Sequence, residues 1–170
     1  DLPNDFPYLG SSYLNTRTYK PKGGGRFAEW KDGRTPYKVT EDLKSRSDEL
    51  ARERRGSIKA AMDHAWGGYR KYAFGYDELT PISGEGNYRW NGLATTMVDS
   101  LDTLWLMGMK NEFYEARDWI RDNLNQELDH YVSTFEATIR SLGGLLAAYD
   151  WSGDKVFLEK AIDLGDRLMM

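Results

Sequence analysis

The 170-residue chain is 40% hydrophobic and 14% aromatic, enough to build one sizeable core. Its 23 Lys and Arg against 27 Asp and Glu leave a formal charge of -4, which offers a polyphosphate no broad attraction and argues against a nucleic-acid partner. The absence of cysteine excludes disulfides and thiolate metal sites within these residues, and no apolar run approaches the roughly 18 residues of a membrane span, so a signal or membrane anchor is expected only outside them.

Residues 1–46 contain Pro3, Pro7, Pro21, Pro36 and the run Gly23-Gly24-Gly25, with no sustained period of two or of 3.6. They read as an extended leader or stem. Phe6, Tyr8, Tyr13, Phe27 and Trp30 favour some docking over full disorder.

From Ser47 the pattern becomes helical. Leu50, Ile58, Met62, Trp66, Tyr69 and Tyr72 form a first stripe that should stop near Phe74-Gly75. The interrupted basic run Arg52-Glu53-Arg54-Arg55 reads as a solvated face of this helix. Gly75 to Ala94 is a long polar and aromatic connection of the kind that often carries function. A second helix follows from Met97, Leu101, Leu104 and Trp105, ending at Gly108, and a third from Phe113, Ala116, Trp119, Ile120 and Leu124. The fourth runs through Phe135, Ile139, Leu142, Leu145, Leu146 and Tyr149. After a break at Trp151-Ser152-Gly153 with a cap at Asp154, a fifth runs through Phe157, Ala161, Ile162, Leu164 and Leu168. Strand signals are nearly absent. Five helices with short turns define an all-α class, and the helical pattern reaches Met170 without a stop signal, which suggests a portion of a longer chain.

Within the fourth helix, Glu136 and Arg140 lie one turn apart and can present a carboxyl group and a guanidinium fork to one ligand. The local alternative is structural. Ser133-Thr134-Phe135-Glu136 matches a capping box, and an ion pair would account for Arg140. Asp99 and Asp102, at i and i+3, read first as helix caps or partners of backbone donors, and as a divided acid and base second. Asp77-Glu78 reads as a turn or a partner for a helix terminus. His64 and His130 have neither the spacing nor the companions of a zinc site, and Gly84-Glu85-Gly86 lacks the third glycine and the preceding strand of a dinucleotide fingerprint. Trp66 and Trp105 fall on helical stripes and read as core, whereas Trp90, in the long connection, is the better ligand-facing aromatic.

Taken in order, the motifs carry more than any one alone. They are His64-Ala65-Trp66-Gly67-Gly68-Tyr69, Asp77-Glu78-Leu79-Thr80-Pro81-Ile82-Ser83, Thr96-Met97-Val98-Asp99-Ser100-Leu101-Asp102-Thr103-Leu104 and Glu112-Phe113-Tyr114-Glu115-Ala116-Arg117. Phe135-Glu136-Ala137-Thr138-Ile139-Arg140-Ser141-Leu142-Gly143-Gly144 and Ser152-Gly153-Asp154 complete the series. From about Arg54 to Met170 the chain resembles the class I α-1,2-mannosidases, glycoside hydrolase family 47, and among them the processing enzymes of the endoplasmic reticulum and Golgi.

That resemblance implies an (α/α)7 barrel of alternating inner and outer helices, of which residues 47–170 would be the N-terminal part and would be inactive alone. It implies removal of α-1,2-linked mannose from high-mannose N-glycans with inversion, in the lumen of the secretory pathway. Glu136 matches the family's general acid and Arg140 a sugar-contacting arginine. The general base is expected beyond Met170. The resemblance also implies Ca2+ for the full-length enzyme, held by a late Thr that these residues do not reach. A catalytically silent, mannose-binding relative acting in glycoprotein quality control is the alternative.

Overall fold

A computed structural model describes residues 40–127 and 129–169. The expected leader, with Phe6, Tyr8, Tyr13, Phe27 and Trp30, lies outside the described residues up to position 39. The chain divides at Arg54 and Arg55 into two units. Of the first, residues 40–54 are described, and residues 41–54 belong to helix α1, Glu41–Tyr72. Its Thr40 hydroxyl accepts a hydrogen bond from the Leu43 amide at 3.2 Å, so the helix starts six residues before the expected Ser47.

The second unit holds the core. Helix α1 ends at Tyr72, and Gly75 turns the chain at φ 86°, a left-handed angle at which glycine has no steric cost. Space also demands glycine there, since a Cβ at Gly75 would lie 2.6 Å from the Trp119 ring. The connection that follows contains an antiparallel hairpin, β1 Glu78–Thr80 and β2 Glu85–Asn87, pairing Glu78 with Asn87 and Thr80 with Glu85. The sequence shows no alternation here because each strand has only three residues and neither is fully buried.

The expected second helix is two short ones, α2 Thr95–Asp99 and α3 Leu101–Leu106. The interruption falls at Ser100, whose hydroxyl donates to the Thr96 carbonyl at 2.6 Å, a back-bond that bends helices. Helix α4, Lys110–Asn123, agrees with the third stripe. The fourth stripe becomes three consecutive pieces: α5 Thr134–Glu136, a π-helical segment Ala137–Leu142, and α6 Gly143–Ser152. Gly153, at φ 69°, ends α6, and the Asp154 carboxylate accepts from the Val156 amide at 3.0 Å to start α7, Lys155–Leu168, as the sequence indicates.

Helices α3, α4, α6 and α7 pack around Phe113, Phe157, Leu101, Leu104, Ile120 and Leu145, all fully buried, with Trp66 and Tyr69 of α1 in the same cluster. Burying one such side chain contributes about 1.5–3 kcal/mol, so this cluster is the main source of stability. Trp66 is core as expected, and Trp105 is partly buried against the core, edge-on to Phe113. At the surface Arg70 binds Glu115 through two nitrogens at 2.6 and 2.9 Å, tying α1 to α4, and Arg117 binds Asp154 at 2.7 Å, tying α4 to the start of α7.

Candidate active site

The site is built around the long connection and the start of the Thr134–Ser152 helical run. Asp77, fully buried, organises the connection. Its carboxylate accepts from the backbone amides of Trp90 at 2.8 Å, Gly92 at 2.9 Å and Thr95 at 3.4 Å, while its carbonyl accepts from Thr96 at 2.9 Å. This carboxylate is therefore a partner for a helix terminus and for a loop, with the negative end set at the N-terminus of α2. Glu78 accepts from the Trp90 indole N–H at 2.9 Å. Neither residue of the Asp77-Glu78 pair is left free for acid and base work.

Two residues flanking this segment, Asn91 at φ 63° and Ala94 at φ 50°, occupy the left-handed region without being glycine. Such conformations cost about 1–2 kcal/mol each and persist where surrounding contacts over-determine them. Here those contacts are the Asp77 bonds and the bond from the Asn91 side-chain amide to the Tyr131 carbonyl at 3.1 Å.

Opposite the connection, the Ser133 hydroxyl accepts from the Glu136 amide at 3.3 Å and starts α5. Only half of the expected capping box forms. The Glu136 carboxylate turns forward instead, accepting from Arg140 Nε at 2.6 Å. Arg140 Nη1 donates to Asp99 of α2 at 3.2 Å, and its guanidinium lies 5.7 Å from the centre of the Trp90 ring. One guanidinium thus bridges two carboxylates and faces an indole. The two carboxylates, Glu136 first and Asp99 second, push the Arg140 pKa further above its ordinary value, so it is a permanent cation.

Close approach of two backbones makes this meeting possible. Gly144 of α6 lies so near α2 that a Cβ on it would be 2.6 Å from the Val98 carbonyl oxygen. The π-helical segment places Arg140 between that contact and Glu136, and π turns are frequent at functional sites. A cavity of about 160 Å³ opens beside the cluster, lined by Arg89, Trp90, Thr95, Tyr131, Glu136 and Arg140 among others.

The structure thus brings Glu136, Arg140, Trp90 and Asp99 together. Asp102 stands aside and accepts from the Thr103 hydroxyl at 3.2 Å, and His64 and His130 are exposed and do not line the cavity. Sequence reasoning did not single out Arg89, Asn91, Thr95 or Tyr131. Their one signal is position, in or beside the long connection and just before the Ser133 cap. Among the described residues no three His, Asp or Glu side chains gather as a site made of such ligands would require.

Helices packed as hairpins, with a carboxyl group and an arginine at a cavity between an aromatic loop and a helix start, form a site suited to a polar ligand. The model of glycosyl hydrolase family 47 matches residues 61–170. Over 137 residues the chain is 50% identical to the mannosyl-oligosaccharide 1,2-alpha-mannosidase MNS1 of Arabidopsis thaliana, covering 81% of this chain and 24% of that protein. It is 55% identical over 106 residues to the endoplasmic reticulum mannosyl-oligosaccharide 1,2-alpha-mannosidase of Homo sapiens, covering 62% and 15%. The solved alpha-1,2-mannosidase from Trichoderma reesei matches with a TM-score of 0.59 and 29% identity, over 69% of this chain and 26% of that one. The chain belongs to glycosyl hydrolase family 47. It spans about a quarter or less of the length of these relatives.

Proposed function

We propose that residues 47–170 are part of the catalytic domain of an inverting α-1,2-mannosidase that trims high-mannose N-glycans, with Glu136 as general acid and Arg140 as a sugar-binding arginine. The observation that carries this reading is the Arg140 guanidinium held between Glu136 and Asp99 at the mouth of the cavity. Relatives named endoplasmic reticulum mannosidases support a place in the secretory pathway, and we assign the lumenal side of the endoplasmic reticulum or Golgi. Among the described residues no helix is long and apolar enough to cross a membrane.

Hydrolysis with inversion needs one carboxylic acid to protonate the departing oxygen and a carboxylate about 6.5–9.5 Å away to activate water on the opposite face of the ring. Among the described residues Glu136 is the one carboxylate lining the cavity. It lies with its side chain 27% exposed, open enough to meet a ligand and to exchange a proton. Arg140 donates through Nε to Glu136 and through Nη1 to Asp99, so a sugar hydroxyl that reaches the cavity meets a guanidinium already held in place beside the acid. The water-activating base and the calcium ligand are assigned to residues outside 1–170.

Release of free mannose from a high-mannose glycan by the full-length protein tests the reading. Glu136→Gln should abolish release while retaining glycan binding. Unchanged turnover in that variant overturns the assignment, and binding without turnover in the parent protein identifies a mannose-binding relative instead.

A further inference from the structure

Side-chain hydroxyls within the helices of this protein repeatedly donate to the carbonyl four residues earlier: Ser100 to Thr96 at 2.6 Å, Thr138 to Thr134 at 2.7 Å and Ser152 to Ala148 at 2.6 Å. Thr95 makes no such bond. It is the first residue of α2, so the residue four before it is Asn91, in a turn with φ 63°, and no helical carbonyl stands where its hydroxyl could reach. Its backbone amide is held by Asp77 at 3.4 Å. Thr95 is 7% exposed and its Oγ1 has no hydrogen-bond partner.

A buried hydroxyl without a partner is costly and calls for an explanation. Location supplies one, because Thr95 lines the cavity together with Glu136, Arg140 and Trp90. We propose that the Thr95 hydroxyl is a substrate-binding group that pairs with a hydroxyl of the mannose unit held beside Glu136. A hexose presents hydroxyls around its ring that both donate and accept, and the Thr hydroxyl does both in return. The buried Asp77 holds the backbone amide of the residue at the cavity wall, and the oxygen, covered in the ligand-free structure, meets the sugar when the side chain turns about its Cα–Cβ bond. A ligand lacking the matching hydroxyl leaves Oγ1 unpaired again, which makes Thr95 a source of discrimination between sugars. The inference rests on the proposed mannosidase reading and adds to it a residue that reads the sugar.

The test uses the full-length protein carrying Glu136→Gln, so that ligand is bound and not consumed. Calorimetry compares Thr95, Thr95→Ser and Thr95→Val for an α-1,2-linked mannobiose and for its series of single-hydroxyl deoxy analogues. Thr95→Val should bind mannobiose about tenfold more weakly, the equivalent of one neutral hydrogen bond, while Thr95→Ser binds like the parent. For one deoxy analogue alone, Thr95→Val should cost nothing further. Its thermal midpoint in the absence of sugar should rise by a few degrees, since a methyl replaces an unpaired hydroxyl, and a purely structural role would not move stability and binding in opposite directions. Equal losses across all analogues would mean that Thr95 holds a water and overturn the sugar contact. So would undiminished mannobiose binding by Thr95→Val. No mannoside binding by the parent or by Thr95→Ser would instead overturn the mannosidase reading, and this inference with it.

Discussion

Gly144 and Val98 meet backbone to backbone: a Cβ on the glycine would sit 2.6 Å from the Val98 carbonyl oxygen and 3.1 Å from its carbonyl carbon. That contact brings α6 onto α2, and with it Arg140 into reach of Asp99, the residue after Val98. Gly144→Ala should therefore push the two helices apart. The expected loss is about 1–3 kcal/mol, as for overpacking in a well-filled interior, read from urea unfolding. A midpoint unchanged within error would show that the approach is not obligatory.

Asp77 is the keystone of the connection beside the site, because one carboxylate satisfies three backbone amides that face one another in the interior. Asp77→Asn substitutes an amide whose NH2 can only donate towards those donors. A loss of about 2 kcal/mol or more is expected, with faster hydrogen exchange at the Trp90 and Gly92 amides, measured by nuclear magnetic resonance. Protection factors equal to the parent's would contradict this account.

Arg140 acts through its shape as well as its charge, since Nε serves Glu136 and Nη1 serves Asp99. Lysine keeps the charge and cannot span both partners in a fixed plane. Arg140→Lys in the full-length protein should cut kcat/KM on a high-mannose glycan by about tenfold or more. Because the pair is partly solvated, the same substitution should leave the urea unfolding midpoint little changed. A variant as active as the parent would remove Arg140 from the substrate-binding role.

Asp154 joins two roles, capping α7 and pairing with Arg117. The Arg117 hydrogen bond is the larger cause that holds its carboxyl below the usual carboxylate value; burial opposes it, and the Val156 amide adds to it. A depressed folded-state value means that this stability is present above the unfolded value near about 3.9 and is lost as pH falls through the folded value. Asparagine still caps, so Asp154→Asn isolates the charge. The variant should be less stable than the parent at pH 7, by about 1 kcal/mol or less after solvent screening, and the difference should close as the solution is acidified below about pH 4. Denaturant midpoints across that range measure it, and a gap that persists undiminished in acid would rule out the ion pair as its source.

Much of the framework is readable in the chain because amphipathic helices announce themselves through near-neighbour spacing. The stripes through Phe113, Ala116 and Ile120 and through Phe157, Ala161 and Leu164 are the buried faces of α4 and α7. Stops and starts at Gly75, Gly108, Gly153 and Asp154 are local events, decided by backbone angle or by one side chain. What escaped the pattern was too short or too local to show a period. The three-residue strands pair only with each other, and the α2 to α3 break comes from one hydroxyl back-bond.

The candidate site divides in the same way. By itself the sequence determined that Glu136 and Arg140 share a helical face and that Ser133 starts the helix, because spacing of three and four residues is geometry the backbone imposes. Tertiary structure decided the rest. Glu136 reaches forward to Arg140 where the guanidinium is also held by Asp99, forty-one positions from Arg140 in the chain. That Asp77 would be buried scaffold, Trp90 a wall facing Arg140, and Thr95 a hydroxyl without a partner depended on which backbones came close enough to meet. Side-chain hydrogen bonds and ion pairs act over about 3 Å, and only packing of the helices around the buried core brings groups so far apart in the chain within that range.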